Sequence, residues 1–141
     1  MSTKTEPLQP ELNGGTETIL LVDDEEYLRL AITQFLSEML GYKTFCAGSA
    51  EEALSMAQSY PGNIDLLLAD VLLPGMSGSE LAEKLLSSRP TLRVIYMSGY
   101  TDHNLAEYGI SSSNSILLQK PFTLKVLAAK LREVLDHKHE N

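Results

Sequence analysis

The chain has 141 residues, with 11 Lys+Arg against 19 Asp+Glu, a net charge of −8 and 43% hydrophobic residues. That size and apolar content suit one domain with its own core and exclude a disordered, collagenous or low-complexity chain. The acidic balance opposes non-specific contact with nucleic acid, no apolar run reaches the ~20 residues of a membrane-spanning helix, and a single cysteine fits a reducing cytoplasm.

Residues 1–17 are polar, contain Pro and Gly, and show no apolar period. They also lack the basic-then-apolar order of a signal peptide, so a flexible tail or linker is expected there. An ordered domain is expected over 18–137, followed by a short polar tail at 138–141. Within the domain a first apolar run, 19–22, has strand length and ends in four acids, Asp23-Asp24-Glu25-Glu26. Leu28, Ile32, Phe35, Leu36 and Met39 then recur at helical spacing. A weaker run at 42–47 suggests a strand near a sheet edge, and Ala50, Ala53, Leu54 and Ala57 a second helix. The run 64–69 is strand-like and ends in Asp70. Leu81, Ala82, Leu85 and Leu86 mark a third helix, stopped before Pro90.

A further run, 92–97, ends in Ser98-Gly99. Residues 102–115 carry Gly109 and four serines and predict only a short, loosely held helix. The run 116–118 leads one residue later to Lys120-Pro121, and Leu124, Leu127, Leu131, Val134 and Leu135 form the last helical stripe. Near-continuous apolar runs suit strands covered on both faces, as in a parallel sheet. Strand and helix alternate five times, and right-handed crossovers then give a doubly wound α/β fold.

The residue after each run carries the chemistry. In an open parallel sheet the carboxyl ends of the strands lie along one edge, where such folds bind ligands. That edge would gather three carboxylates, Asp23, Asp24 and Asp70, with the Ser98 hydroxyl and the Lys120 ammonium. Carboxylates brought so close must take up protons or a cation, and an all-oxygen set with room for water suits Mg²⁺. Metal, lysine and hydroxyl together can neutralise a phosphoryl group in transfer, and a central carboxylate can be the nucleophile. Plainer roles exist for each residue alone. Asp23 and Asp24 could cap the first helix, Asp70 could form a turn before Pro74-Gly75, and Lys120 could be a solvated charge. They do not explain why so many strands end in one site.

Four pieces then carry a family resemblance: Leu21-Val22-Asp23-Asp24, Asp70-Val71-Leu72-Leu73-Pro74-Gly75-Met76-Ser77-Gly78, Met97-Ser98-Gly99-Tyr100 and Lys120-Pro121-Phe122. In this order and spacing they resemble the receiver domain of bacterial two-component response regulators, over about residues 18–136. The wording around Ser98 and Lys120 is also similar to receivers attached to hybrid histidine kinases. The resemblance implies a flavodoxin-like (βα)5 fold with a five-stranded parallel sheet in the order 2-1-3-4-5. It implies that Asp70 accepts a phosphoryl group from a histidine kinase or a histidine phosphotransfer domain. Mg²⁺ would be held by Asp24 and Asp70, by Asp23 through water, and by the Leu72 carbonyl. Ser98 and Lys120 would meet the phosphoryl oxygens, Gly99 would leave space beside them, and the Lys120–Pro121 bond would be cis. One position departs from the pattern. Leu117 stands where the family often has a switching Tyr or Phe, and Tyr100 is the ring available in its place.

Other functions compete with this one. An aspartyl-phosphate phosphatase on the same fold usually carries an acid two residues after its nucleophile, where this chain has Leu72. A flavodoxin-like cofactor binder would want a phosphate loop after the first strand, where this chain has four acids. A degenerate receiver used only for docking is at odds with a full set of site residues. By the resemblance, Leu72 and Tyr100 would flank the family's route of attacking water, which predicts slow loss of the phosphoryl group. The expected role is a signalling switch rather than a free-standing enzyme, with no direct nucleic-acid or membrane contact and its output in a partner or a longer parent chain. Cys46 is expected as a small buried hydrophobe, His103 has no evident partner, and His137 and His139 read as solvated in the polar tail, where their spacing could chelate adventitious metal.

Overall fold

A computed structural model of the chain describes residues 13–99 and 116–137. The weak helix expected over 102–115 lies outside them, as do Tyr100, His103 and His139. The described elements are β1 (Thr18–Val22), α1 (Glu26–Gln34, continuing into a π-helical turn, Phe35–Met39), β2 (Lys43–Ala47), α2 (Ala50–Ser59), β3 (Leu66–Asp70), α3 (Gly78–Ser88), β4 (Arg93–Ser98), β5 (Leu117–Gln119) and α4 (Leu124–Asp136). The strands pair in parallel in the order β2-β1-β3-β4-β5. That is the sheet the family resemblance implies, with the weakly apolar β2 at one edge.

Alternation along the strands splits the core into two layers. Ile19, Leu21, Leu66, Leu68, Ile95 and Met97 face Ile32, Phe35 and Leu36 on one helix and Leu127 and Leu131 on another. Leu20, Val22, Leu67 and Ala69 point to the opposite face, against Ala53 and Ala57 of α2 and Leu81, Ala82 and Leu85 of α3. β1 and β3 are buried along their whole length, which is why their sequences read as unbroken apolar runs.

Local chemistry sets the helix starts. Ser49 and Thr123 accept main-chain N–H bonds from Glu52 and Val126, and Ser77 forms a reciprocal capping box with Glu80. α1 has no side-chain cap at Glu25. The Asp23 carboxylate accepts the N–H of Glu25 at 2.8 Å, which braces the turn leading into α1 and leaves the helix itself without the side-chain cap weighed for Asp23.

Several strands start later than their apolar runs, β2, β4 and β5 by one residue at Lys43, Arg93 and Leu117. β3 begins at Leu66 rather than Ile64, and the Asp65 carboxylate just before it accepts from the Thr18 N–H at 2.8 Å and from the Asn63 amide at 2.7 Å. Met39, expected on the buried stripe, is 70% exposed. The reason is the π turn, in which the Leu40 N–H reaches back five residues to Phe35 and rotates the end of the helix. Before β1 the chain is already held: Gly15 N–H donates to Leu40 O, and Lys43 N–H to Glu17 O, each at 3.0 Å. Cys46 is half-buried beside the first core layer. Among the described residues no helix is long and apolar enough to cross a membrane.

Candidate functional site

The carboxyl ends of β1, β3, β4 and β5 share one edge of the sheet, and each delivers a residue there. Asp23 follows β1 directly, with its N–H extending the ladder to Ala47 O at 3.1 Å. It is fully buried, whereas Asp24 beside it is exposed. Asp70 is the last residue of β3 and is 8% exposed. Ser98 closes β4, is buried, and directs its hydroxyl to Gly99 O at 3.2 Å. Lys120 follows β5, and its N–H donates to Ser98 O at 2.8 Å, which fastens the two strand ends together. The Lys120–Pro121 peptide is cis.

Side chains then converge. Lys120 Nζ lies 2.9 Å from Asp70 Oδ2 and 3.0 Å from Asp23 Oδ2, bridging the two buried carboxylates. Asp23, Asp24 and Asp70 each offer an oxygen within 4.8 Å of the others. Burial pushes the Asp70 carboxyl from 3.8 up to about 6; Lys120 pulls it down, and the negative charges of Asp23 and Asp24 push the same way as burial. The Lys120 ammonium is opposed by its own burial, but hydrogen bonds to Asp70 and Asp23 hold its pKa above the ordinary 10.5. One lysine therefore faces two buried carboxylates with a third acid beside them. The set has negative charge in excess and suits a cation or an electrophile. Leu72 is 42% exposed in the loop after β3, and Leu117 is half-buried in β5.

Two residues escaped the sequence reading. A Cβ on Gly78, the first residue of α3, would stand 2.2 Å from the Asp70 carbonyl oxygen, so only glycine lets α3 back directly onto the Asp70 peptide. Its place in the Pro74–Gly78 stretch was a usable signal. Arg29 reaches back from α1 to donate to Asp23 O at 2.8 Å. As a charged residue between Leu28 and Leu30 it looked like ordinary helix surface.

The family model for the response regulator receiver domain matches residues 19–132. The chain belongs to this family. As a receiver domain it is 34% identical over 123 residues to the sensor kinase CckA of Brucella abortus (strain 2308), covering 87% of this chain and 13% of that protein. It is 38% identical over 119 residues to the transcriptional activator protein ExaE of Pseudomonas putida, covering 83% of this chain and 54% of that protein. The crystal structure of a CheY-like receiver domain from Methanospirillum hungatei JF-1 superposes with a TM-score of 0.74 at 30% identity, covering 86% of this chain and 95% of that one. The receiver thus spans well under two thirds of these curated relatives' lengths and nearly the whole of the solved domain.

Proposed function

We propose that Asp70 is the phosphoacceptor of this receiver and takes its phosphoryl group from a phosphohistidine on a histidine kinase or a histidine phosphotransfer domain. An Asp70 Oδ–P bond forms as the N–P bond of the donor breaks, and the imidazole leaves with the electron pair. The observation that carries this reading is Lys120 Nζ within 3.0 Å of both Asp23 and Asp70 at the common strand edge. Lys120 can follow the charge from the carboxylate to the phosphoryl oxygens, and Ser98 supplies a hydroxyl on the neighbouring strand.

The acidic set fits Mg²⁺. Its donors are all oxygen, they stand within 4.8 Å of one another, and Asp24 opens to solvent where water ligands belong. Asp23, Asp24, Asp70 and the Leu72 carbonyl are the groups assigned to hold it. When bound, it would offset the negative charge on carboxylate and phosphoryl oxygens during transfer. A phosphatase reading is disfavoured because Leu72 replaces the acid such enzymes carry two residues after the nucleophile. The single cysteine accords with a cytoplasmic setting.

Incubation with acetyl phosphate and Mg²⁺, followed by intact-mass spectrometry, tests the assignment. One phosphoryl adduct is expected in the wild-type chain, and none in Asp70→Asn or with excess EDTA. An adduct that persists in Asp70→Asn would place the acceptor elsewhere.

A further inference from the structure

Arg29 sits one helical turn beyond Glu25, whose carbonyl accepts its main-chain N–H at 2.9 Å. Its side chain turns back toward the strand ends, where Nη1 donates to the main-chain carbonyl of Asp23 at 2.8 Å. Gly48, just past β2, makes room for the guanidinium: a Cβ there would lie 3.0 Å from Nη1 and 3.5 Å from Cζ. Nothing in the transfer chemistry above uses this contact.

The bonded carbonyl belongs to the peptide that joins Asp23 to Asp24. A peptide is planar, so holding its oxygen also fixes the plane containing the Asp24 nitrogen and Cα. The rest of Asp23 is tied as well, through its N–H to Ala47, through Oδ1 to the Glu25 N–H, and through Oδ2 to Lys120. Asp24 is exposed, and the direction of its side chain is inherited from the backbone that carries it. Arg29 holds the carbonyl of the peptide from which Asp24 departs.

We propose that Arg29 is a positioning residue for the cation site, locking the Asp23–Asp24 peptide so that both carboxylates face Asp70. The inference rests on the reading of these acids as an Mg²⁺ site and adds a residue to it. It also makes a prediction opposite in sign to the one expected from charge alone. Removing a nearby positive charge leaves the carboxylates more negative and, by Coulomb's law, tightens cation binding. Releasing the peptide they hang from weakens it.

Mg²⁺ titration of the whole chain, followed by backbone amide NMR shifts, separates the two, with thermal melting in EDTA run alongside. Arg29→Met is expected to bind Mg²⁺ about tenfold more weakly than wild type, the loss common when a group orienting a metal ligand is removed. Arg29→Lys, which restores a cationic donor, is expected to recover part of that loss. Gly48→Val keeps Arg29 but crowds its guanidinium, and is expected to weaken binding in the same direction. Should Arg29→Met fail to fold, Gly48→Val decides. Unchanged or tighter Mg²⁺ affinity in a folded variant overturns the proposal while leaving the site itself intact. Absence of saturable shifts in the wild-type chain overturns the Mg²⁺ site, and the role of Arg29 with it.

Discussion

At Asp70, burial, opposed by Lys120 and reinforced by Asp23 and Asp24, lifts the carboxyl from 3.8 to about 6. Between those values the folded chain keeps a proton that the unfolded chain has released. The native state then binds more protons, and its stability falls as pH rises through that window. Asn resembles the protonated acid, so Asp70→Asn in EDTA should melt higher than wild type at pH 7.5, by about 3–6 °C, and close to wild type at pH 4. Calorimetry at both pH values checks this, and an equal shift at each would show that burial is not what strains the carboxyl. Asp23, Asp24, Asp70, Ser98 and Lys120 were legible in the sequence because each follows an apolar run, and parallel strands send such residues to one edge. Arg29 was not legible. Its contact is with a main-chain carbonyl, and no residue type advertises that.

Between elements, the tightest constraint is the approach of α3 to the end of β3. A methyl on Gly78 would meet the Asp70 carbonyl oxygen at 2.2 Å, the Asp70 carbonyl carbon at 3.1 Å and Val71 Cα at 3.3 Å. All three are backbone atoms and cannot rotate away. Gly78→Ala should therefore push the helix and the strand end apart, at a cost of about 2 kcal/mol, typical of overpacking. If Asp70 is the acceptor proposed above, the substitution should also slow labelling by acetyl phosphate, because the carboxylate moves with its peptide. Urea unfolding and the labelling rate test the two effects. Wild-type values for both would mean that the helix yields without consequence. The stripe of α3, Leu81, Ala82 and Leu85, was legible from its period because the helix is regular. The π turn after α1 was not, since an i to i+5 bond leaves the composition unchanged while turning Met39 outward.

At the scale of the whole domain, a second charged group away from the strand edge ties distant parts of the chain together. Arg132 of α4 donates to both Glu17 oxygens, at 2.9 and 3.1 Å, and to Tyr42 OH at 3.3 Å, and it also pairs with Asp136. The segment just before β1 is thereby fastened to the last helix, through a residue that sequence alone assigned to a tail. Only the fold brings Glu17 and Arg132 together across 115 positions, so no local pattern could announce the pair. The Arg132 hydrogen bond, more than any other influence, holds the Glu17 carboxyl below its ordinary 4.5 despite some burial. A lowered carboxyl stabilises the fold above its unfolded pKa and loses that contribution as pH falls through the folded value. The pair is part-exposed, so solvent screens it. Arg132→Met should cost about 1 kcal/mol at pH 7, read by urea unfolding. The difference from wild type should shrink as pH falls from the ordinary 4.5 through the lowered Glu17 value. Backbone amide exchange at Gly15 and Lys43, whose N–H groups bond within this seam, should quicken in the variant, while exchange in β3 stays slow. A uniform rise in exchange across β1 and β3 would mean that Arg132 supports the core as a whole and does not act as a local clamp between the two ends of the domain.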